Sequence, residues 1–305
     1  MPFAVIVVTF HPDAEVLANL RAIAGRGARL FVVDNTPLPE VPAFEELPAM
    51  SVERPGRTIG LAAALNLGIR RAGEDGFEEI FLFDQDSRPV GDFFEEMLHF
   101  RKTMAREPCD CILCVPDFFD RNTRAFARFP LFTRWTFRRR TCARLKERPS
   151  RETVMAITAG SLVSYSGFLR AGPFREDYFI DGVDTEYCLR LGRLGFPAAL
   201  NCRAVVDQAL GKRMMRKFLG VTMRPSFHAP NRRYYESRNG IRTALGYFAD
   251  FPLYLPLFLA GIAQEFLSIL LYEPEKRLKV RAQIAGLIHG LAGRGGQCPF
   301  SWLEG

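Results

Sequence analysis

The chain has 305 residues, 48 % of them hydrophobic and 25 % charged, with a formal net charge of +7. That is ordinary for a folded globular protein, excludes a disordered chain, and fits one large α/β domain with an appendage or two domains. The charge is uneven: residues 1–210 carry 27 Lys/Arg against 28 Asp/Glu, and residues from 211 onward carry 14 against 6.

The run FAVIVVTF (3–10) is short, apolar and rich in β-branched residues, the pattern of a strand buried on both faces. Apolar residues at helical spacing follow up to a Gly stop near residue 25, and RLFVVDN (29–35) repeats the strand pattern. A Pro-rich loop (37–48) and a short strand near 50–54 lead into a helix, GLAAALNLGIRRAG (60–73). EIFLFDQD is the next strand and GDFFEEMLHFRKTMA the next helix. This alternation predicts a mostly parallel sheet with right-handed crossovers.

Residues 117–152 are Arg-rich with interleaved aromatics, which suits a solvated loop or hairpin or a mobile, phosphate- or acceptor-facing segment. No nucleic-acid recognition motif accompanies the charge, so nucleic acid is not expected as a partner. MAITAGSLVSYSGFLRAG (155–172) reads as a strand and a small helix. Next, Asp181, Asp184 and Glu186 crowd six positions between a strand-like aromatic piece and an amphipathic helix. Helix capping accounts for one acid there, but three exceed what a cap requires.

His228 precedes a helix on which Arg232, Tyr235 and Arg238/Asn239 share one face. Residues 251–271 form an apolar stretch of membrane-spanning length, interrupted by Pro252, Pro256, Gln264 and Glu265, so an interfacial or packed helix is favoured over a span. The last helix mixes basic and apolar residues, as a membrane-surface helix does. The basic C-terminal third suggests an anionic partner such as headgroups or phosphates. There are seven cysteines: Cys109, Cys111, Cys114, Cys142, Cys188, Cys202 and Cys298. No leader-like segment precedes the first strand pattern, so reduced, buried thiols in a cytoplasmic protein are expected, in preference to zinc at CDCILC.

Ligands of such sheets bind at the C-terminal ends of the strands. Polar residues gather there: Thr9 and His11, Asp34 and Asn35, Asp84 and Asp86. Each alone suits a turn, but together they suit a hard divalent cation shared with a diphosphate. Such an ion neutralises charge on a leaving nucleoside diphosphate, while a second acid site can deprotonate an acceptor hydroxyl. Neither a P-loop nor a GxGxxG turn after the first strand is present, which argues against a kinase or a dinucleotide dehydrogenase.

The segments VIVVTFHPD, VVDN, GLAAALNLGI, FDQDS, TAGSLVS, FIDGVDTEYCLRLGRLGF and HAPNRRYYESRN resemble, in order, those of family-2 glycosyltransferases with the GT-A fold, and most closely the bacterial rhamnosyltransferases. The resemblance covers roughly residues 3–240. It implies an α/β, GT-A transferase domain over residues 1–245; residues 246–305 read, independently of the resemblance, as a basic, amphipathic helical extension that suits the inner face of the plasma membrane. It implies transfer of L-rhamnose from dTDP-β-L-rhamnose, with inversion, to a glycan acceptor on a lipid carrier. A UDP-sugar donor such as UDP-galactofuranose and a non-catalytic membrane-surface scaffold are the alternatives.

The implied nucleotide contacts are Thr9, Phe10, Asp34, Asn35, Asn66, Asp84 and Gln85. The implied Mg²⁺ or Mn²⁺ ligands are Asp86, Asp84 and His228, and the diphosphate or acceptor would meet His228, Arg232, Tyr235 and Arg238. Asp184 matches the family's base, but Val183 stands where that family's pair has its other acid, so Asp181 and Glu186 remain candidates.

Overall fold

The structure, a computed structural model, describes residues 2–38, 49–104, 111–145, 152–208, 216–218, 221–223 and 225–303. Most of the expected Pro-rich loop (39–48), Cys109 and the end of the Arg-rich segment (146–151) lie outside the described residues.

In chain order the elements are β1 (Ala4–Thr9), α1 (Ala14–Ala24), β2 (Arg29–Asp34), β3 (Met50–Glu53), α2 (Leu61–Glu74), β4 (Glu79–Asp84), β5 (Arg88–Pro89) and α3 (Phe93–Met104). Then come β6 (Leu113–Asp120), β7 (Ala125–Phe126), β8 (Phe129–Phe132), β9 (Phe137–Arg140), β10 (Thr153–Val154), β11 (Ser161–Ser164), α4 (Tyr165–Ala171), α5 (Val183–Arg193) and β12 (Ala199–Gln208). A small hairpin, β13 (Arg216–Phe218) and β14 (Val221–Met223), precedes α6 (Pro230–Gly246), α7 (Tyr254–Tyr272) and α8 (Lys276–Leu291).

The main sheet has the order β3-β2-β1-β4-β11-β6-β12-β5, with β7 paired to β6. Strands β3, β2, β1 and β4 are parallel, as are β6 and β12. The mostly parallel α/β sheet expected from the sequence is present. Strand β11 runs antiparallel between β4 and β6, a reversal that the hydrophobic pattern does not encode.

Ala4 to Val7 have no solvent exposure because both faces of β1 are covered. On one face α2 approaches so closely that a Cβ on Gly68 would stand 2.5 Å from Ile6 Cγ2. Elsewhere in the core, Phe81 meets Phe3 and Phe94 edge-on, with ring centroids 5.5 and 5.0 Å apart. The register pairs Thr9 with Asp34 and Val8 with Asp84, so the polar ends of β1, β2 and β4 arrive at one rim.

The Arg-rich segment forms a hairpin. Strand β8 pairs with β9 and β10; Phe129, Leu131 and Phe132 are buried, while Arg138, Arg139 and Arg140 line the exposed outer strand. Cys142, just after it, forms a disulfide with Cys202 on β12, which corrects the expectation of wholly reduced thiols. Cys111, Cys114, Cys188 and Cys298 are free and buried. The aromatic piece before Asp181 is a 3₁₀ turn (Glu176–Tyr178) followed by a tight loop, where a strand-like segment was expected.

The C-terminal helices fold back onto the α/β core. A Cβ on Gly286 or Gly290 of α8 would stand 2.3 Å from Tyr234 O or 2.3 Å from Ile241 Cγ2, so α8 lies tightly on α6. Between them Glu273 is wholly buried with Arg233 (2.7 Å) and Lys279 (2.9 Å). Lys279 has no other carboxylate among the described residues, and stranding a buried charge is strongly destabilising. Glu273→Ala is therefore expected to lower the unfolding free energy by about 3–5 kcal/mol. Urea denaturation checks this, and a change within error would contradict it.

Candidate active site

Three strand ends build the floor. Asp34, at the end of β2, is 1 % exposed and its Oδ1 accepts from Thr9 Oγ1 (3.2 Å), Thr36 Oγ1 (2.7 Å) and Thr36 N–H (3.2 Å). Its Oδ2 is buried and has no partner among the described residues. Asn35 accepts from the Ile59 N–H through Oδ1 (2.7 Å), fixing the approach to α2. Phe10 is 48 % exposed at the mouth, and its N–H donates to Gln85 Oε1 (2.8 Å), which ties the β1 loop to the turn after β4.

The Asp84-Gln85-Asp86-Ser87 turn is itself held from outside. Asn19 on α1 donates to the carbonyls of Gln85 (3.1 Å) and Ser87 (2.8 Å), and Arg121 donates to the Asp86 carbonyl (3.1 Å). Asp86 is exposed and Asp84 half-buried. Gln208, at the end of β12, donates to Asp84 Oδ2 (3.0 Å). Burial, followed by the like charge of Asp86, pushes the Asp84 carboxyl up to about 6.

The opposite wall is the loop into α5. Phe179, Asp181 and Gly182 have φ of 65°, 60° and 74°. Left-handed backbone at non-glycine residues persists only when neighbours enforce it. Asn239 Nδ2 reaches the carbonyls of Tyr178, Ile180 and Asp181 (2.8, 2.8 and 2.7 Å). Arg238 donates to the carbonyls of Tyr178 (2.9 Å), Asp177 (3.1 Å) and Gly296 (2.5 Å). The Phe179 ring stacks on Tyr235 (centroids 5.3 Å), and Phe179 O accepts from the Leu61 N–H (2.6 Å). Gly60 is required at that contact, because a Cβ there would lie 2.7 Å from the Phe179 carbonyl.

This loop delivers Asp184 to the cleft. Thr158 Oγ1 donates to Asp184 Oδ1 (2.9 Å). Burial, then the charges of Asp84 and Asp181, push the Asp184 carboxyl up to about 7 against the Thr158 hydrogen bonds. Asp181 is paired in fork geometry with Arg232, and burial still raises it. Arg232 also favours the ionised form of Asp84, so α6 contributes a cation to the same rim.

The structure thus brings together Thr9, Phe10, Asp34, Asn35, Asp84, Gln85 and Asp86, and places Asp181, Asp184 and Arg232 against them. Five expected residues have other employment. Glu186 is 2 % exposed and its carboxylate is taken by Arg190 and by the Tyr247 hydroxyl (2.6 Å), so it packs α5 and is no longer a candidate base. Asn66 is fully buried and pairs with the Phe174 N–H and carbonyl, both at 2.9 Å.

Tyr235 is 3 % exposed and accepts from the Cys298 N–H (2.7 Å), and Arg238 has no exposure; both hold the loop where diphosphate contacts were expected. His228 is bonded through Nδ1 to Glu236, which also pairs with Arg233 (3.2 Å), so its metal-ligand role would require breaking that pair. Gln208, Thr158 and Asn19 were not singled out as site residues. Thr158 lay inside the quoted TAGSLVS and Gln208 at a strand end, the same signal that marked Asp34 and Asp84.

Among the described residues no three His, Cys, Asp or Glu side chains converge as a complete metal site. Asp84 and Asp86 supply hard oxygen donors, which fits a Mg²⁺-type ion completed by substrate phosphates.

No protein-family model matches the chain. A dTDP-rhamnosyl transferase of Shigella flexneri, RfbF, is 29 % identical over 236 residues, covering 77 % of this chain and 77 % of its own length. Residues 1–349 of S. aureus TarS match with a TM-score of 0.54 at 11 % identity, covering 95 % of this chain and 81 % of that one; the same protein in complex with UDP-GlcNAc gives the same values. At that identity the likeness speaks to the fold, which is GT-A-like. The resemblance to family-2 rhamnosyltransferases read from the motifs is borne out.

Because the Asp84 charge raises the Asp184 carboxyl, Asp84→Asn is expected to lower the Asp184 pKa from about 7. Carboxylate ¹³C NMR titration reads this directly, and an unchanged or raised value would show that the two groups do not share the cleft.

Proposed function

We propose that the protein is an inverting rhamnosyltransferase that moves L-rhamnose from dTDP-β-L-rhamnose to a glycan acceptor, carried on a lipid, in bacterial surface polysaccharide synthesis. The observation that carries the reading is the arrival of the strand ends bearing Asp34 and Asp84 at one rim, with Asp184 held by Thr158 near enough for the Asp84 charge to help raise it to about 7. The 29 % identity to a dTDP-rhamnosyl transferase supports the donor.

Asp34 and Asn35 receive the nucleoside, and the buried Asp34 Oδ2 is an unsatisfied acceptor that a base N–H or ribose hydroxyl meets once the side chains over it move aside. Phe10, exposed beside it, offers a ring face to the base. A diphosphate adds negative charge to a cleft that already holds Asp84, Asp86, Asp181 and Asp184 with Arg232 as its bound cation. Mg²⁺ or Mn²⁺ held by Asp84 and Asp86 would offset that charge and stabilise the departing dTDP. Arg232 is placed to meet the diphosphate if it releases Asp181.

Asp184 takes the proton of the acceptor hydroxyl as that oxygen bonds to the anomeric carbon. The bond from that carbon to the diphosphate oxygen breaks with its electron pair leaving on dTDP, and the configuration inverts from β to α. Thr158 orients the carboxylate for this step.

A base works best with a pKa near the operating pH, and only its ionised form accepts a proton. Below about 7 the Asp184 carboxyl is mostly protonated, so kcat/KM is expected to rise with pH, reach half its plateau at about 7 and level off above it. A flat profile between pH 5 and 8, on the order of the span over which such a group titrates, would contradict the assignment. Calorimetry with Mg²⁺ present tests the donor: dTDP is expected to bind more tightly than UDP, and the reverse order would replace rhamnose by a UDP-linked sugar.

A further inference from the structure

Helix α7 is the only helix among the described residues that is long and apolar enough to cross a membrane. Its sole charged residue, Glu265, turns inward and lies 3.3 Å from Arg233 on α6. The rest of that inner side is also engaged: Tyr254 meets Phe132 edge-on, Phe258 packs over Gly240, and the Ile262 carbonyl accepts from Gln283 (3.4 Å). Only Ser268 and Ile269 are buried. On the outer side Leu259, Phe266 and Leu270 are 47, 38 and 42 % exposed, and no charged group interrupts them. Helix α8 adds Ile284, Ile288 and Leu291, 49 to 64 % exposed, on the side opposite the Ala282, Gly286 and Gly290 positions that pack inward. Six large apolar side chains exposed on the outer sides of two consecutive helices exceed the scattered exposure of a soluble face.

Basic charge borders that surface. Lys276 and Arg277, at the start of α8, are exposed and pair with no carboxylate among the described residues. They line a depression of about 530 Å³ at the α7–α8 turn together with Leu278, the exposed Glu275 and the buried Glu273, whose charge Arg233 and Lys279 take up. Arg281 lies exposed over the Trp302 ring, 4.7 Å from its centroid. A second copy of this chain would bring the same basic border to the contact, whereas anionic headgroups complement it.

A span is disfavoured by the anchoring of both helix ends. Tyr254 is held at Phe132, and Glu273 is buried with Arg233 and Lys279, on the same body. Crossing a bilayer would break Glu265 from Arg233 and Glu273 from its two cations.

We propose that the outer sides of α7 and α8 rest in the headgroup region of an anionic bilayer, with α7 parallel to the membrane plane and Lys276, Arg277 and Arg281 against lipid phosphates. This is the geometry of an interfacial amphipathic helix, with the protein's own core covering one side. The inference stands apart from the donor reading: a chain that binds vesicles but no dTDP would sink that reading and leave this one.

Vesicle flotation of the full chain tests it, with phosphatidylcholine vesicles alone or mixed equally with phosphatidylglycerol. The chain is expected to float with the mixed vesicles, at least tenfold more than with phosphatidylcholine, and to be released by alkaline carbonate. Phe266→Glu with Leu270→Glu, and separately Lys276→Glu with Arg277→Glu, are expected to remove at least nine-tenths of the bound protein at an unchanged thermal midpoint. Should the first pair fail to fold, the second, at exposed positions, decides alone. Equal flotation of wild type and the charge-reversed pair overturns the proposal. Retention after carbonate overturns the in-plane geometry. A wild-type dimer that ignores vesicles, seen by analytical ultracentrifugation, assigns the surface to a second copy.

Discussion

The grip of α6 on the loop from Asp177 to Gly182 sets everything at the cleft. Two consecutive side chains of one helix, Arg238 and Asn239, take up the loop's carbonyls, and Tyr235 stacks behind Phe179. Left-handed Phe179 and Asp181 each carry about 1–3 kcal/mol of strain, which these contacts offset. The conformation they enforce turns the chain sharply enough for Asp184, in the first turn of α5, to face Asp84. Because Arg238 also binds the Gly296 carbonyl and α8 lies on α6, the C-terminal helices are part of the support of the site.

Electrostatics explains why this support must be stiff. Burial holds both Asp84 and Asp184 above the usual carboxylate range, with the charge of Asp86 adding to it at Asp84 and the charge of Asp84 adding to it at Asp184, so a small retreat of Asp84 would relax Asp184. The raised values also have a cost for the fold. Each carboxyl has a folded pKa above its unfolded one, so the native state binds more protons, and its stability falls as pH rises through the interval from about 4 to about 7. Arg232, paired with Asp181, limits that loss. A cleft that is destabilised by its own charge is one that a cation or a substrate can stabilise.

Much of this was legible in the sequence, for identifiable reasons. Parallel strands buried on both faces show as uninterrupted apolar runs, so β1, β2 and β4 and the polar residues that end them were read directly. Strand β11 was read as a strand, but its direction depends on pairing partners and leaves no trace in its own four residues. The roles of Glu186, Asn66, Tyr235 and Arg238 were misread because residue type and helical face do not reveal what lies opposite. In the fold Glu186 meets Tyr247, 61 positions away, and Asn66 meets Phe174, 108 away. Long-range partners also decided Gln208, which reaches Asp84 across 124 positions. The Cys142–Cys202 disulfide joins residues 60 apart in the same way.

The central claim is that one rim holds the donor and the base together, with Asp184 as the base. A single-turnover assay with dTDP-rhamnose and lipid-linked glycan acceptors, run on wild type and Asp184→Asn, tests it most directly. For Asp184→Asn, dTDP affinity within about twofold of wild type is expected, with transfer slower by about 10²–10⁴-fold. Undiminished transfer by Asp184→Asn would contradict it.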